Sequence, residues 1–206
     1  MEAIDVKDIP HPPLPADMPV MLLPDCHLFP GCLLPLYIFE ERYRLMLAHA
    51  LATNRMFCIG NREGPRDNAP VSPCSTAGLV RCCVTQADGT SHLLLLGLCR
   101  IRLAGWLQEK PFGIARIEPV PTVVGDATGA RRLKARALGL FQMGGDEQAG
   151  QLRAALEQND NAEMVCDIMS YHFTRCPKLQ QKLLAEPSLK RRYEMLIEAL
   201  EKSACT

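Results

Sequence analysis

The chain has 206 residues, 48% of them apolar and 22% charged, with 23 basic and 23 acidic side chains and a formal net charge of zero. That balance excludes a disordered charged tail and supplies enough apolar material for one large domain or two small ones. Neither half is polarised, so nothing electrostatic points to a nucleic-acid partner.

The chain start, MEAIDVKDIPHPPLPADMP, is acidic and proline-rich, the reverse of a secretion signal with its basic end and apolar stretch. No uncharged apolar run reaches the roughly 20 residues that a membrane helix needs. A cytoplasmic protein without membrane contact and with reduced cysteines is expected. Residues 1–18 read as an extended, proline-rich arm, because proline cannot donate to a strand ladder.

Regular structure is predicted to start with a short apolar strand, Pro19 to Leu23, followed by a turn over Asp25 to Gly31 and a second strand from Cys32 to Leu36. The period then changes from 2 to 3.6. Phe39, Tyr43, Met46, Leu47, Ala50 and Leu51 share one helix face, Glu40 and Glu41 fill the first turn, and Glu40 can meet Arg44 at i+4. Met56 to Gly60 is the next strand. Asn61 to Pro73, with Gly64, Pro65 and Pro70, is a loop.

Two strands, Gly78 to Val84 and Ser91 to Leu98, flank Asp88-Gly89, a two-residue hairpin signal in which both turn positions need positive φ. Arg100 to Leu103 and Phe112 to Val120 add more, for about seven short strands in all and one early helix. The stretch PVPTVVGDATG, residues 119–129, ends the strand signals. Helices are predicted over 131–143, 148–158, 162–173 and 177–185. A fifth and final helix carries Leu189, Tyr193, Leu196, Ile197 and Leu200 on one stripe, with Pro187 in its first turn. The expected fold is α+β, with a β-rich module over 19–122 and a helical bundle over 123–206.

Chemistry-bearing motifs are scarce. Ten cysteines lie at 26, 32, 58, 74, 82, 83, 99, 166, 176 and 205, with no C-x-x-C spacing. Cys26-His27-x₄-Cys32 is the best local cluster, and His172-x₃-Cys176 is cut by Pro177, so small buried hydrophobes are expected rather than metal ligands. Cys82 and Cys83 should point to opposite faces of their strand. No phosphate-binding loop exists, and Gly144-Gly145 opens no basic cradle. Ser91 and His92 diverge on a strand, Ser170 and His172 do not face each other on a helix, and no nucleophile elbow is present, so no catalytic residue and no cofactor is assigned. The run Lys190-Arg191-Arg192 reads as a solvated helix face, and Met46 and Met164 as core filling.

One ordered set of residues is specific. Val20 to Leu23, then Leu28-Phe29-Pro30-Gly31, Cys32-Leu33-Leu34-Pro35-Leu36 and Ile38-Phe39-Glu40-Glu41-Arg42-Tyr43 resemble the opening of the N-terminal domain of the ATP-dependent protease Lon. Gly78, Asp88-Gly89-Thr90, Gly97 and Arg100 continue the pattern in order, and so do Asp167-Ile168 and the closing helix, over about residues 19–202. Pro30-Gly31 makes a tight turn, Pro35 keeps its strand at an edge, and Phe39 and Tyr43 open the helix face.

The resemblance implies a PUA-like β-barrel joined to a small helical bundle, and a role in selecting and holding substrate proteins. It implies no ATPase and no Ser–Lys peptidase, so a protease label would come by descent only, as in the free-standing members of that family. The expectation is a binding module for protein or peptide segments, with unfolded stretches among them. Such binding needs an exposed apolar patch or a groove between barrel and bundle. Leu28, Phe29, Pro30 and Leu33 in the first turn are candidates, as is the loop from Arg62 to Pro73, although Phe29 also suits a core plug. RNA binding, known for other PUA-like barrels, is the alternative; a neutral chain with the single Trp106 argues against it. An unrecognised hydrolase using Ser91 or Cys26 is the remaining one.

Overall fold

The computed structural model describes residues 13–62, 70–140 and 147–204. The arm before Pro13, the loop tip between Arg62 and Pro70, Gly144-Gly145, the predicted helix end over 141–143 and Cys205 lie outside them.

Six strands form one sheet: β1 (Asp17–Pro24), β2 (Leu33–Ile38), β3 (Met56–Arg62), β4 (Cys74–Thr85), β5 (Ser91–Gln108) and β6 (Gly113–Pro119). The order is β2-β5-β4-β3-β1-β6, and β6 also pairs with β5, which curls the sheet into a barrel-like form. Among these six strands β1 and β3 run parallel and the other pairs antiparallel. Their crossover is the helix α1 (Glu41–Ala52) together with β2, as a parallel pair requires.

The curl depends on β5. The sequence suggests two strands here, broken near Cys99; the chain instead runs through all 18 residues. Its first half pairs with β2, from Ser91 to Leu96, and its second half with β6, from Ile101 to Gln108, while β4 lies along its other side from Cys74 to Thr85. Register shifts at Ala77/Gly78 and Leu103/Gly105 bend it enough to serve two partners. The first strand also begins earlier than proline content suggests: Asp17 to Pro19 pair with Ile114 to Arg116 before the pairing with β3 starts at Val20, so Pro19 has a ladder on one side only.

Helix α1 begins at Glu41, so Phe39 precedes it and is exposed, not part of the helix face. Glu40 meets Arg42 at 2.7 Å in place of Arg44. Tyr43, Met46, Leu47 and Ala50 are buried against β-strand residues Phe57, Val80, Leu93 and Leu95. A second cluster, with Met18, Met56, Leu79, Leu96, Leu98 and Ile101, fills the inside of the curled sheet.

After Pro119 come α2 (Ala127–Leu140), α3 (Glu147–Gln158), α4 (Ala162–Phe173), α5 (Pro177–Ala185) and α6 (Leu189–Ala204). Pro187 sits before α6, not in its first turn; its carbonyl accepts from the Val123 amide. Asn161 caps α4 by accepting from the Met164 amide, and Pro177 opens α5. The helices bury Leu138, Val165, Met169, Leu183, Tyr193 and Leu196. Among the described residues no helix is long and apolar enough to cross a membrane.

Candidate functional site

The turn between β1 and β2 joins the two parts. Phe29 is wholly buried, and it lies in the helical cluster with Met169 and Leu184, 6.4 Å from the Tyr171 ring. Gly31 holds a positive φ of 79° and donates to the Gly97 carbonyl at 2.9 Å. A Cβ at Gly97 would lie 2.1 Å from the Phe29 carbonyl oxygen, so this close approach of two backbones needs glycine. The order Phe-Pro-Gly followed far along by Gly97 is thereby one structural unit.

Beside that unit lies an ion cluster. Arg100 donates two hydrogen bonds to the Asp167 carboxylate, at 2.8 and 2.5 Å, and a third to the Leu184 carbonyl at 3.2 Å. Arg192 reaches Asp167 at 2.8 Å from the other side and donates to the Thr122 hydroxyl at 2.9 Å. Thr122 in turn donates to Glu163. Two cations and two carboxylates therefore balance.

Arg100, Asp167 and Arg192 are buried, whereas Glu163 keeps 26% of its side chain accessible. Burial works to lower the Arg100 pKa, but the charge and hydrogen bonds of Asp167, with Glu163 behind it, hold it above the ordinary value. The buried Arg192 Nε has no hydrogen-bond partner, so the pairing is not complete. Such a cluster fixes orientation more than it adds net stability, because desolvating four charges offsets most of their attraction.

Above the cluster is a groove of about 510 Å³. One wall comes from strand-side residues, Leu14, Pro30, Gly31, Leu98 and Cys99, and the other from α4, with Asn161, Glu163 and Met164. The connecting segment Val120, Pro121, Thr122 and Val124 closes one side, and Arg100 and Asp167 lie at the base. The surface offered is mostly apolar with one accessible carboxylate.

A second, neutral link holds the same two parts. The Gln181 amide donates to the Ser72 hydroxyl at 2.7 Å and to the Cys74 carbonyl at 3.3 Å, and its oxygen lies 3.1 Å from His27 Nε2. Burial lowers the His27 pKa, with hydrogen bonding to Gln181 opposing the shift. The described thiols at the seam are not activated. Burial pushes the Cys166 thiol up to about 12 and raises Cys32 and Cys26 as well, which keeps them protonated. Cys26, His27 and Cys32 are thus partners in packing and in this link.

Of the four candidate contact residues, Leu28 and Phe29 are buried, Pro30 lines the groove and Leu33 is exposed on β2. Met164 lines the groove instead of filling the core. Arg192 is fully buried, unlike Lys190 and Arg191 beside it. A signal for it existed: it falls at i+3 from Leu189 and i−4 from Leu196, on the apolar stripe of α6. Cys82 is exposed and Cys83 packs inward, on opposite faces.

The model of the ATP-dependent protease La (LON) substrate-binding domain family matches residues 17–202. Curated relatives include the Lon proteases of Paraburkholderia phytofirmans, 26% identical over 89% of this chain and 24% of that protein, and of Desulfosudis oleivorans, 27% identical over 48% and 13%. The chain spans about a quarter or less of the length of these relatives. Among solved structures, the N-terminal domain of Mycobacterium avium complex Lon protease superposes with a TM-score of 0.72 at 16% identity, covering 90% of this chain and 98% of that one. A Lon N-terminal domain protein from Xanthomonas campestris gives 0.65 at 20% identity, covering 88% and 97%.

Proposed function

The chain belongs to the ATP-dependent protease La (LON) substrate-binding domain family, and from that premise we propose that it is a non-catalytic module holding a protein or peptide segment in the groove between sheet and bundle. The observation that carries the reading is the groove itself. It is large enough for a few side chains, its walls are apolar, and both parts of the molecule contribute to it. Apolar side chains of an unfolded segment would be desolvated against Leu98, Val124 and Met164. Glu163 would meet a peptide amide or a cationic side chain at the rim.

The Arg100–Asp167–Arg192 cluster acts as a positioning device, holding α4 at a fixed distance from β5 so that the groove stays open without a ligand. This is preorganisation, which lowers the ordering cost of binding. Val124→Asp and Met164→Glu each set a charge on an apolar wall. Titration of a fluorescent, permanently unfolded polypeptide should show at least about tenfold weaker binding to either variant. Unchanged affinity in both would overturn the reading. Preferential capture of labelled RNA with steep salt dependence would replace it by nucleic-acid binding.

A further inference from the structure

The first described stretch of the chain leads out of the groove. Leu14 lines the strand-side wall and packs on the inner cluster that contains Leu98. Two residues on, the Ala16 carbonyl accepts from the Ile117 amide at 2.9 Å, and Asp17 pairs with Arg116. Traced backwards, this antiparallel register carries the chain past Pro119 and along Val120 to Val124, the segment that closes one side of the groove. Val123 and Val124 are 59% and 45% exposed there, an apolar wall open to water. Twelve residues, MEAIDVKDIPHP, precede Pro13. Fully extended they span about 40 Å, so their reach covers the whole groove.

We propose that residues 1–12 dock in the groove of their own chain and compete there with the polypeptide; the competition rests on the groove reading above, whereas the docking does not. The register, continued, sets Ile9 level with Val124, so an apolar side chain of the arm meets the apolar wall. The backbones suit such a contact. Pro119 and Pro121 have no amide and the Val120 amide is taken by the Arg100 carbonyl, so covering this stretch strands no donor. Pro10, Pro12 and Pro13 bring none from the other side, and their fixed φ lowers the entropy lost on docking. Lys7, the one Lys or Arg of the arm, has the Glu163 carboxylate at the rim as its counterpart. A tether this short gives an effective concentration of about a millimolar, so even a weak contact occupies the groove for a large part of the time.

A photoreactive amino acid in place of Ile9, irradiated with no polypeptide present, tests the docking. It should join position 9 to residues 120–124 or to Met164 within one chain, at a yield that dilution leaves unchanged. Crosslinks scattered outside the groove, or joining two copies of the chain, overturn the docking. Deletion of residues 1–12, which leaves Leu14 and β1 in place, tests the competition. A fluorescent unfolded polypeptide should bind the shortened chain about three- to tenfold more tightly, and Val6→Asp combined with Ile9→Asp in the full chain should have the same effect. Equal affinity for both lengths overturns the competition. A polypeptide that binds neither length, with position 9 still crosslinked in the groove, overturns the groove's proposed role and supports the docking.

Discussion

Helices meet the sheet in two places, and the two contacts are built from different materials. At α1 the contact is dry: Met46, Leu47 and Ala50 pack on Phe57, Val80 and Leu95, with a single polar tie from the Tyr43 hydroxyl to the Leu22 carbonyl. At the bundle the contact combines the Phe29 plug with buried charges and a glutamine bridge. Apolar packing is non-directional and tolerates small shifts, whereas a bidentate Arg100–Asp167 pair accepts one geometry. The polar seam holds the two sides of its groove at a set width, whereas the hollows beside α1 have no buried ion pair beneath them among the described residues.

Substitutions can break or sharpen this contrast. Asp167→Ala should have the largest effect. It leaves two buried guanidinium groups without their shared carboxylate and should cost about 3–5 kcal/mol in urea denaturation. Met46→Ala in the dry seam should cost about 2–4 kcal/mol through lost burial and a cavity, with no effect on polypeptide binding. Gln181→Ala should cost about 1–2 kcal/mol, because Ser72 and His27 lose a buried partner. A triple replacement of Arg100 and Arg192 by Met and Asp167 by Leu would sharpen the contrast most. Stability should stay near wild type or rise, since no fully buried charge is left unpaired and Glu163 keeps access to water, while polypeptide binding should fall because nothing then fixes the groove.

The smallest effect is one of pH. Burial depresses the His27 pKa in the folded chain, so the unfolded chain takes up a proton at a pH where the folded one does not. Stability should therefore decline as pH falls below about 6.5, the unfolded value, and level off beneath the folded one. His172, whose pKa burial also lowers, contributes in the same direction. His27→Gln should flatten part of this acid limb in denaturation midpoints measured between pH 7.5 and 5.

Much of the fold is legible in the sequence because local rules decide it. Gly89 at a φ of 81°, the start of α4 and the stripe of α6 each rest on a few adjacent residues, although Asp88 does not share the positive φ of a two-residue turn and the Gln86–Thr90 pairing leaves a loop over 87–89. Errors cluster where a distant partner decides. Continuity of β5 past Cys99 is set by β4 and β6, which no window around Cys99 contains. Phe39 has helical spacing to Tyr43 but belongs to the strand-side aromatic stack with Tyr37. Arg192 looks like one more member of a basic run until Asp167 and Thr122 are placed opposite it. The groove was legible only as a kind of place, between barrel and bundle. Its residues, from Leu14 to Asp167, come from segments whose nearness exists only after folding.

The proposed role of the groove is tested most directly by a photoreactive amino acid at Val124, compared with one at the remote position Leu107, in the presence of an unfolded polypeptide. The groove reading predicts strong crosslinks from position 124, lost when excess unlabelled polypeptide is added, and only background from 107. Equal labelling at both positions, or none at 124 while binding persists in solution, would contradict it.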